Sequence, residues 1–237
     1  MKKAALITGA GRRIGRAIAF SLASRGFQIA LHINRSSAEA EKAADEMRSQ
    51  GAVCGIFQSD FNDPAAPLDL IRAVHSRFPG LCLLINNASV FERASLRDTE
   101  PERFDRIFRI NFRTPFFLIR DFSRICGKGH VVNILDTKIS SRLVSYFAYS
   151  LSKKGLSDLT EMAAKELGPE IRVNGIAPGL ILPSAGDTRE HFERMGNGIP
   201  MRRPGSPEAV VSALDYLLDN AFVTGEILFV DGGEHVL

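Results

Sequence analysis

Short apolar segments alternate along the whole chain with longer segments in which apolar residues recur at helical spacing. The short segments predict seven strands, at residues 4–8, 28–33, 53–58, 81–86, 131–135, 172–176 and 226–230. Their consecutive apolar positions indicate burial on both faces, as in a parallel sheet covered by helices. Because crossovers between parallel strands are right-handed, few topologies other than the doubly wound one remain. The pattern therefore predicts an α/β fold with a doubly wound parallel sheet of about seven strands, flanked by helices on both faces.

The length of the chain, 237 residues, suits one α/β domain with a complete core. We therefore predict a single domain at residues 1–237. One long stretch, at about 180–206, is rich in Gly and Pro and is the only long segment without a regular pattern. Irregular segments of that length in compact domains are often functional, so we interpret it as a lid over a substrate site. A passive insertion is the alternative.

Composition and charge narrow the class of protein. The net charge of +3 is spread along the chain, so we expect no nucleic-acid partner. No apolar segment approaches the roughly 18 residues that a membrane span needs, and the basic start of the chain breaks too early for a signal peptide. Cys54, Cys82 and Cys126 form neither a metal-binding nor a disulfide pattern. We expect a soluble, cytoplasmic protein without a metal that acts on a small molecule.

A glycine-rich turn follows the first predicted strand and opens the first predicted helix, with the sequence Thr8-Gly9-Ala10-Gly11-Arg12-Arg13-Ile14-Gly15. Glycines at such a turn let the backbone approach a pyrophosphate, whose charge the amides of the helix N-terminus stabilise. Its place between the first strand and the first helix is typical of a dinucleotide site. We therefore predict a single Rossmann-type sheet that binds a dinucleotide at this turn.

The end of the second predicted strand bears on the choice of cofactor. Sites specific for NAD usually have a carboxylate there, whereas this chain has Asn34, Arg35 and Ser36. A guanidinium beside a hydroxyl suits a ribose 2′-phosphate, so we expect NADPH or NADP. Arg35 as an ordinary solvated residue is the alternative. Asp60, just past the third strand, is a candidate for the adenine edge or, alternatively, a helix cap.

Tyr149 and Lys153 are four residues apart, which places a phenol and an ammonium group on one face of a helix. The ordinary pKa of tyrosine is roughly 10, so its proton leaves slowly at neutral pH. A nearby cation favours the phenolate and lowers that pKa. We therefore expect Lys153 to lower the pKa of Tyr149 and so to make it a better proton donor.

Together with the glycine-rich turn, this pair resembles the classical short-chain dehydrogenase/reductase family over nearly the whole chain. Further segments fall where motifs of that family fall, namely Asn86-Asn87-Ala88, Asn111, Asn174 with Pro178-Gly179, and Asp231-Gly232-Gly233. The resemblance implies that Tyr149 is the acid, that Lys153 holds the nicotinamide ribose, and that Asn111 supports a proton-relay water. Without it, Asn86 and Asn87 would simply end a strand, and Asn111 would cap a helix break.

The resemblance also implies a cofactor site that draws on several segments of the chain. Its expected members are Gly9, Gly11, Arg12, Arg13, Ile14, Asn34, Arg35, Ser36, Asp60, Asn87, Ala88, Ser89, Tyr149, Lys153, Pro178 and Gly179.

Two departures from the general family pattern are similar to the pteridine reductases and dihydromonapterin reductases. Arg13 stands at a position of the glycine-rich turn where a small residue is usual. Asp136 stands thirteen residues before Tyr149, where a serine is usual. The pair Arg35-Ser36 and the segment Asn87-Ala88-Ser89-Val90-Phe91 are similar to the same reductases.

That similarity implies a substrate site for a pterin. The ring would stack on Phe91, and its polar groups would meet Arg13, Ser89, Asp136 and Tyr149. A flat ring rich in hydrogen-bond donors and acceptors suits an aromatic face combined with a carboxylate, a phenol and a guanidinium. Alternatively, Phe91 is a core residue and Asp136 caps the end of a strand.

We therefore expect NADPH-dependent reduction of a dihydropterin to the tetrahydropterin, with Asp136 and Tyr149 handling the proton. Dihydrobiopterin and dihydromonapterin are the expected substrates, and dihydrofolate a secondary one. The alternatives are a ketoreductase acting on a 3-oxoacyl thioester or another carbonyl compound, and a sensor that binds NADPH without turnover. The family resemblance implies a homotetramer, for which the apolar tail at residues 222–237 is a candidate interface.

Overall fold

The computed structural model describes residues 2–35, 37–184, 186 and 188–237. Seven strands form one fully parallel sheet in the order β3-β2-β1-β4-β5-β6-β7. The strands are β1 Ala4–Ile7, β2 Gln28–Ile33, β3 Cys54–Gln58, β4 Leu81–Asn86, β5 Gly129–Ile134, β6 Ile171–Pro178 and β7 Ile227–Val230. This order, with β1 and β4 adjacent at the centre, is that of a doubly wound Rossmann-type sheet. The predicted fold class is therefore confirmed.

In the part of the chain that the structure describes, eight α-helices connect the strands. They are α1 Arg13–Ser24, α2 Ser37–Ser49, α3 Ala66–Arg77, α4 Pro101–Phe108, α5 Thr114–Cys126, α6 Phe147–Leu167, α7 Arg189–Gly196 and α8 Pro207–Asp219. A π-helical turn at Arg109–Arg113 joins α4 to α5, and short 3₁₀ helices occupy Thr137–Ile139 and Glu234–Val236. In the described part of the chain, no helix is both long and apolar enough to cross a membrane.

The core consists of two apolar layers, one on each face of the sheet. Along β1, Ala5 and Ile7 pack into the layer that contains α1 and α8, whereas Ala4 and Leu6 pack into the layer that contains α3 and α5. All four side chains are fully buried. This explains why the strand shows a continuous apolar run rather than an alternating one.

The segment at about 180–206 is more ordered than the sequence predicted. It contains the helix α7, whose first turn is capped by Thr188, and the side chains of Ile181 and Ile199 are buried. The expectation of an irregular stretch is therefore wrong for α7. This helix has only eight residues and is mostly exposed, so it lacks the long apolar stripe by which a surface helix is recognised.

Candidate active site

The carboxyl ends of the parallel strands meet at one edge of the sheet, which is where ligands bind in open α/β folds. A cavity of about 400 Å³ opens there above β1, β2 and β4. Its lining residues are Gly9, Gly11, Arg12, Arg13, Ile14, Gly15, His32, Ile33, Asn34, Arg35, Phe61, Asn87, Ala88, Ser89, Val90 and Ile110. The structure thus brings the glycine-rich turn, the end of β2 and the segment after β4 into one site.

The glycine-rich turn passes so close to the segment after β4 that two of its positions cannot carry a side chain. Gly9 has a φ of +63°, and a Cβ atom there would lie 3.0 Å from the Ala88 Cα. A Cβ atom on Gly15 would lie 2.6 Å from the Asn87 Nδ2. The turn therefore presents bare backbone to the cavity, with the N-terminus of α1 behind it, and this arrangement suits a pyrophosphate.

Thr8 and Asn87 hold this turn in place. The Thr8 hydroxyl accepts hydrogen bonds from the backbone amides of Asn87 and Ala88, both at 2.9 Å. In return, the Asn87 amide group donates to the carbonyl oxygens of Thr8 and Gly9, at 2.8 and 3.1 Å. In this structure Asn87 thus joins the glycine-rich turn to the segment after β4 by hydrogen bonds.

Arg13 has a φ of +55°, a conformation that costs a non-glycine residue about 1–3 kcal/mol. Its guanidinium donates two hydrogen bonds of 3.0 Å to the Pro183 carbonyl oxygen. Arg13 therefore lines the cavity and also reaches the start of the 180–206 segment, a contact that the turn motif did not predict.

The end of β2 places Asn34 and Arg35 in the cavity lining. Ser36, the third predicted residue here, lies outside the described residues. Asp60 is exposed and is not among the described lining residues; it accepts hydrogen bonds from the Asn34 side chain at 3.3 Å and from the Asn62 backbone amide at 3.0 Å. In this structure it shapes the turn after β3 and does not cap α3, whose N-cap is Ala65; its role at the adenine edge stays a prediction.

His32 also lines the cavity, although no motif singled it out. Its Nδ1 accepts a hydrogen bond from the Gly9 amide at 3.3 Å, and its Nε2 lies 3.1 Å from the Ser59 carbonyl oxygen. The ring stacks on Phe61 with 4.2 Å between centroids. Burial lowers the pKa of His32 from 6.5 to about 4, so a neutral imidazole positions the glycine-rich turn at neutral pH.

The residues around the cavity fit a phosphorylated dinucleotide. Among the lining residues that the structure describes, Arg12, Arg13 and Arg35 are cationic and none is acidic. Three guanidinium groups, free amides at the start of α1 and a glycine turn are the groups that bind phosphates.

A second set of groups lies next to this cavity, where β5 ends and α6 begins. The Tyr149 hydroxyl donates a hydrogen bond of 2.6 Å to the Asp136 Oδ2. The pKa of Tyr149 is raised well above its ordinary value, first by burial and then by the negative charge of Asp136. The expectation that this pKa is lowered is therefore wrong in this structure, because burial and the carboxylate outweigh the more distant cation.

Lys153 faces the same place from one turn further along α6. Its ammonium group donates a hydrogen bond of 2.8 Å to the Ile134 carbonyl oxygen and lies 6.0 Å from the centroid of the Tyr149 ring. Burial lowers the pKa of Lys153 to about 8, while the charge of Asp136 opposes that shift. The structure thus brings Asp136, Tyr149 and Lys153 together.

Asn111 lies in the π-helical turn and is completely buried. Its side chain accepts from the Val90 amide at 2.9 Å and from the Ser89 hydroxyl at 3.2 Å, and it donates to the Val90 carbonyl oxygen and to the Ser152 hydroxyl. Asn111 therefore ties the segment after β4 to α6. Single π-helical turns within helices are frequent at functional sites.

Phe91 is 43% exposed and lies between the two sets of groups. Its ring stacks on Tyr146 with 4.4 Å between centroids and meets the edge of Tyr149 at 4.7 Å. An isolated bridge between Ala94 and Tyr146 holds the two segments in register. Phe91 is thus an exposed aromatic platform rather than a core residue, and Tyr146, which no motif identified, supports it.

The end of β6 packs against the end of β7 and the segment that follows it. Pro178 is the last residue of β6, and the amide of Gly179 donates to the Val230 carbonyl oxygen at 3.1 Å. A Cβ atom on Gly179 would lie 2.6 Å from the Asp231 Cβ. Asp231 itself accepts from Thr137 at 2.6 Å and from the Gly233 amide at 2.9 Å, so the segment after β7 packs directly behind Asp136.

Comparisons with known proteins agree with this geometry. A family model described as enoyl-(acyl carrier protein) reductase, of the short-chain dehydrogenase/reductase type, matches residues 9–235. A dihydromonapterin reductase from Citrobacter koseri is 31% identical, over 98% of this chain and 96% of that protein. A versicolorin reductase from Emericella nidulans is also 31% identical, over 98% of this chain and 95% of that protein.

Solved structures are similar over almost the whole chain. The crystal structure of FolM alternative dihydrofolate reductase 1 from Brucella suis, in complex with NADP, superposes with a TM-score of 0.95 at 34% identity, over 99% of this chain and 96% of that one. An acetoin dehydrogenase from Salmonella typhimurium superposes with a TM-score of 0.91 at 26% identity, over 100% and 97% of the two chains.

Proposed function

The chain belongs to the short-chain dehydrogenase/reductase family, and from that premise we propose that it reduces a dihydropterin to the tetrahydropterin with NADPH. The observation that carries this proposal is the hydrogen bond between Tyr149 and Asp136 beside the exposed ring of Phe91. The dihydromonapterin reductase and the FolM reductase among its relatives support the same substrate class.

NADPH, when bound, supplies the hydride that a C=N bond of the substrate accepts at carbon. The residues of this chain then have two tasks. Arg13, Ser89 and Phe91 orient the flat ring, and orientation of the reacting groups supplies much of the acceleration in such reactions. Asp136 and Tyr149 hold a proton between them and deliver it to the ring nitrogen, so that the hydride and one proton together complete the reduction.

NADPH would fit the cavity above β1, β2 and β4. Gly9, Gly11, Arg12, Arg13 and Ile14 would hold the pyrophosphate, and Asn34, Arg35 and Ser36 would hold the adenosine ribose and its 2′-phosphate. Asn87, Ala88, Ser89, Pro178 and Gly179 would lie next to the nicotinamide. Lys153 and Tyr149 would hold the nicotinamide ribose, and Asn111 would support a water that returns protons to the pair. Asp60 would meet the adenine edge from the turn that it forms with Asn34.

A ketoreductase is the second candidate, because the versicolorin reductase and the acetoin dehydrogenase among the relatives suggest carbonyl substrates. Asp136 disfavours that candidate. Reduction of a ketone develops negative charge on oxygen, and a carboxylate next to that oxygen repels the charge. The test is NADPH consumption by the purified protein with dihydrobiopterin, dihydromonapterin, dihydrofolate and a set of ketones.

We further propose that the segment at residues 180–206 closes over the substrate and that the protein is cytoplasmic. We also propose that the protein is a homotetramer. Three apolar side chains of the last sixteen residues, Phe222, Val236 and Leu237, are largely exposed, and exposed apolar surface of this kind is what an interface buries. The test is light scattering during gel filtration, where a tetramer has four times the 26.0 kDa mass of the chain.

A further inference from the structure

Lys138 lies beside the Tyr149–Asp136 pair, and neither the sequence motifs nor the proposed function assigns it a role. Its ammonium nitrogen is 3.4 Å from the Asp136 Oδ1, and its backbone amide donates to the same oxygen at 2.9 Å. The ammonium group also lies 5.5 Å from the centroid of the Phe91 ring. One cation therefore touches both the proton-handling carboxylate and the aromatic platform.

Glu234 lies in the last 3₁₀ helix, which is in contact with the short 3₁₀ helix that contains Lys138. One of its carboxylate oxygens, Oε2, lies only 2.8 Å from the position that a Cβ atom on Gly179 would take. Burial raises the pKa of Glu234, and the positive charge of Lys138 opposes that shift. The negative charges of Asp136 and Asp231 also raise the pKa of Glu234, as burial does.

Asp136 and Lys138 thus place an acceptor and a donor side by side at the Phe91 ring, with the carboxylate of Glu234 near the cation. An ammonium group has three N–H donors. One faces Asp136, which leaves donors for a ligand that lies over Phe91. The side chain of Lys138 is only 21% exposed, and a charge buried to that extent is costly unless partners hold it in a fixed place.

We propose that Lys138 is a specificity-determining residue that donates a hydrogen bond to the exocyclic carbonyl oxygen of a flat heterocyclic substrate stacked at Phe91. This inference rests on the proposed function, since it concerns the same site. The carboxylate of Asp136 beside Lys138 accepts a hydrogen bond from a ring N–H or amino group. A 2-amino-4-oxo heterocycle offers both kinds of group, whereas a simple ketone offers a single acceptor.

Two pteridines that differ in the 4-substituent, and with it in whether N3 carries a proton, separate this role from a structural one when the ratio of their affinities is compared between wild type and Lys138→Met. In 2-amino-4-oxopteridine the 4-substituent is an acceptor, and in 2,4-diaminopteridine it is a donor that the ammonium group repels. The experiment measures Kd for both compounds by titration calorimetry, with protein saturated with NADP⁺. Wild-type protein, Lys138→Met and Lys138→Arg are compared. The matched control is Lys154→Met, because Lys154 donates to the Ile139 carbonyl oxygen instead.

The wild-type protein is expected to prefer the oxo compound. A hydrogen bond to a charged group supports a preference of about tenfold or more, and Lys138→Met should abolish it. Lys138→Arg should retain most of the preference because it keeps a charged donor, and Lys154→Met should leave it unchanged. Circular dichroism spectra establish that each variant is folded.

An unchanged ratio of the two Kd values in Lys138→Met overturns the inference. So does a wild-type protein without any preference, or a Lys154→Met variant that loses the preference for the oxo compound as fully as Lys138→Met does. Failure of the proposed function has a different signature. The wild-type protein would then not oxidise NADPH with any dihydropterin, whatever the calorimetric ratio shows.

Discussion

The phenol of Tyr149 and the carboxylate of Asp136 share one hydrogen bond of 2.6 Å, although the two residues belong to different elements. The bond arises because Asp136 follows β5 and Tyr149 lies in the first turn of α6, and both point to the carboxyl edge of the sheet. Its effect is to keep the proton on the phenol, since the adjacent charge raises the pKa of Tyr149. Proton transfer by this protein is therefore a property of the pair.

Replacement of Tyr149 by phenylalanine removes the proton but little of the contact area. We expect Tyr149→Phe to lower kcat by about 10²- to 10⁴-fold, the usual contribution of general acid catalysis, and to leave NADPH affinity within about threefold. Steady-state kinetics and a fluorescence titration with NADPH measure the two quantities. Retention of more than about a tenth of the wild-type kcat would place the acid elsewhere.

Replacement of Asp136 by asparagine keeps the shape of the side chain and removes its charge. Because that charge contributes to the high pKa of Tyr149, we expect Asp136→Asn to lower the pKa of this phenol and to reduce turnover of the dihydropterin. Ultraviolet difference titration of the tyrosines follows the phenol, and Tyr149→Phe identifies its signal. A phenol that titrates at the same pH in Asp136→Asn contradicts the coupling.

Arg35 is the described cation at the end of β2, and it lines the cavity. Because a guanidinium favours a 2′-phosphate and a carboxylate repels it, we expect wild-type protein to prefer NADPH over NADH by about tenfold or more. Arg35→Asp should weaken binding of NADPH far more than binding of NADH. Titrations with both cofactors measure this, and equal losses for the two would exclude Arg35 from the phosphate site.

Buried His32 makes the stability of the fold sensitive to acid. Its pKa is about 4 in the folded chain and 6.5 ordinarily, so only the unfolded chain binds a proton at this residue between these values. The free energy of unfolding should therefore fall as the pH drops from 6.5 to 4, by about 3 kcal/mol from this residue alone. His32→Asn, which can still accept from the Gly9 amide, should flatten this dependence. Urea unfolding at a series of pH values measures the free energy of unfolding, with His75→Asn as the control. The same dependence on pH in wild type and in His32→Asn would contradict the lowered pKa of His32.

The strands could be predicted from the sequence because their apolar runs are buried on both faces. The predicted bounds agree with the observed ones at half of the strand ends and differ by one or two residues at the others. The helix α7 could not be predicted, because a short exposed helix leaves no apolar stripe. Tyr149 and Lys153 could be identified because they are four residues apart on α6. Asp136 could be identified because it stands thirteen residues before Tyr149.

Contacts between distant segments could not be read from the sequence. The pKa of Tyr149 was predicted with the wrong sign because spacing shows that Lys153 is near but not that Tyr149 is buried and donates a hydrogen bond to Asp136. His32 binds an amide 23 positions earlier. Thr137 donates a hydrogen bond to Asp231, 94 positions later in the chain, and this contact joins the segment after β5 to the segment after β7.

The most direct test of the substrate assignment is kcat/KM for dihydromonapterin and for an acetoacetyl thioester, measured with NADPH on one preparation of wild-type protein and of Phe91→Ala. We expect the dihydropterin to be the better substrate, and we expect Phe91→Ala to raise its KM through lost stacking of about 0.5–1.5 kcal/mol beyond the loss of buried area. A higher kcat/KM for the thioester would contradict the account and favour a ketoreductase.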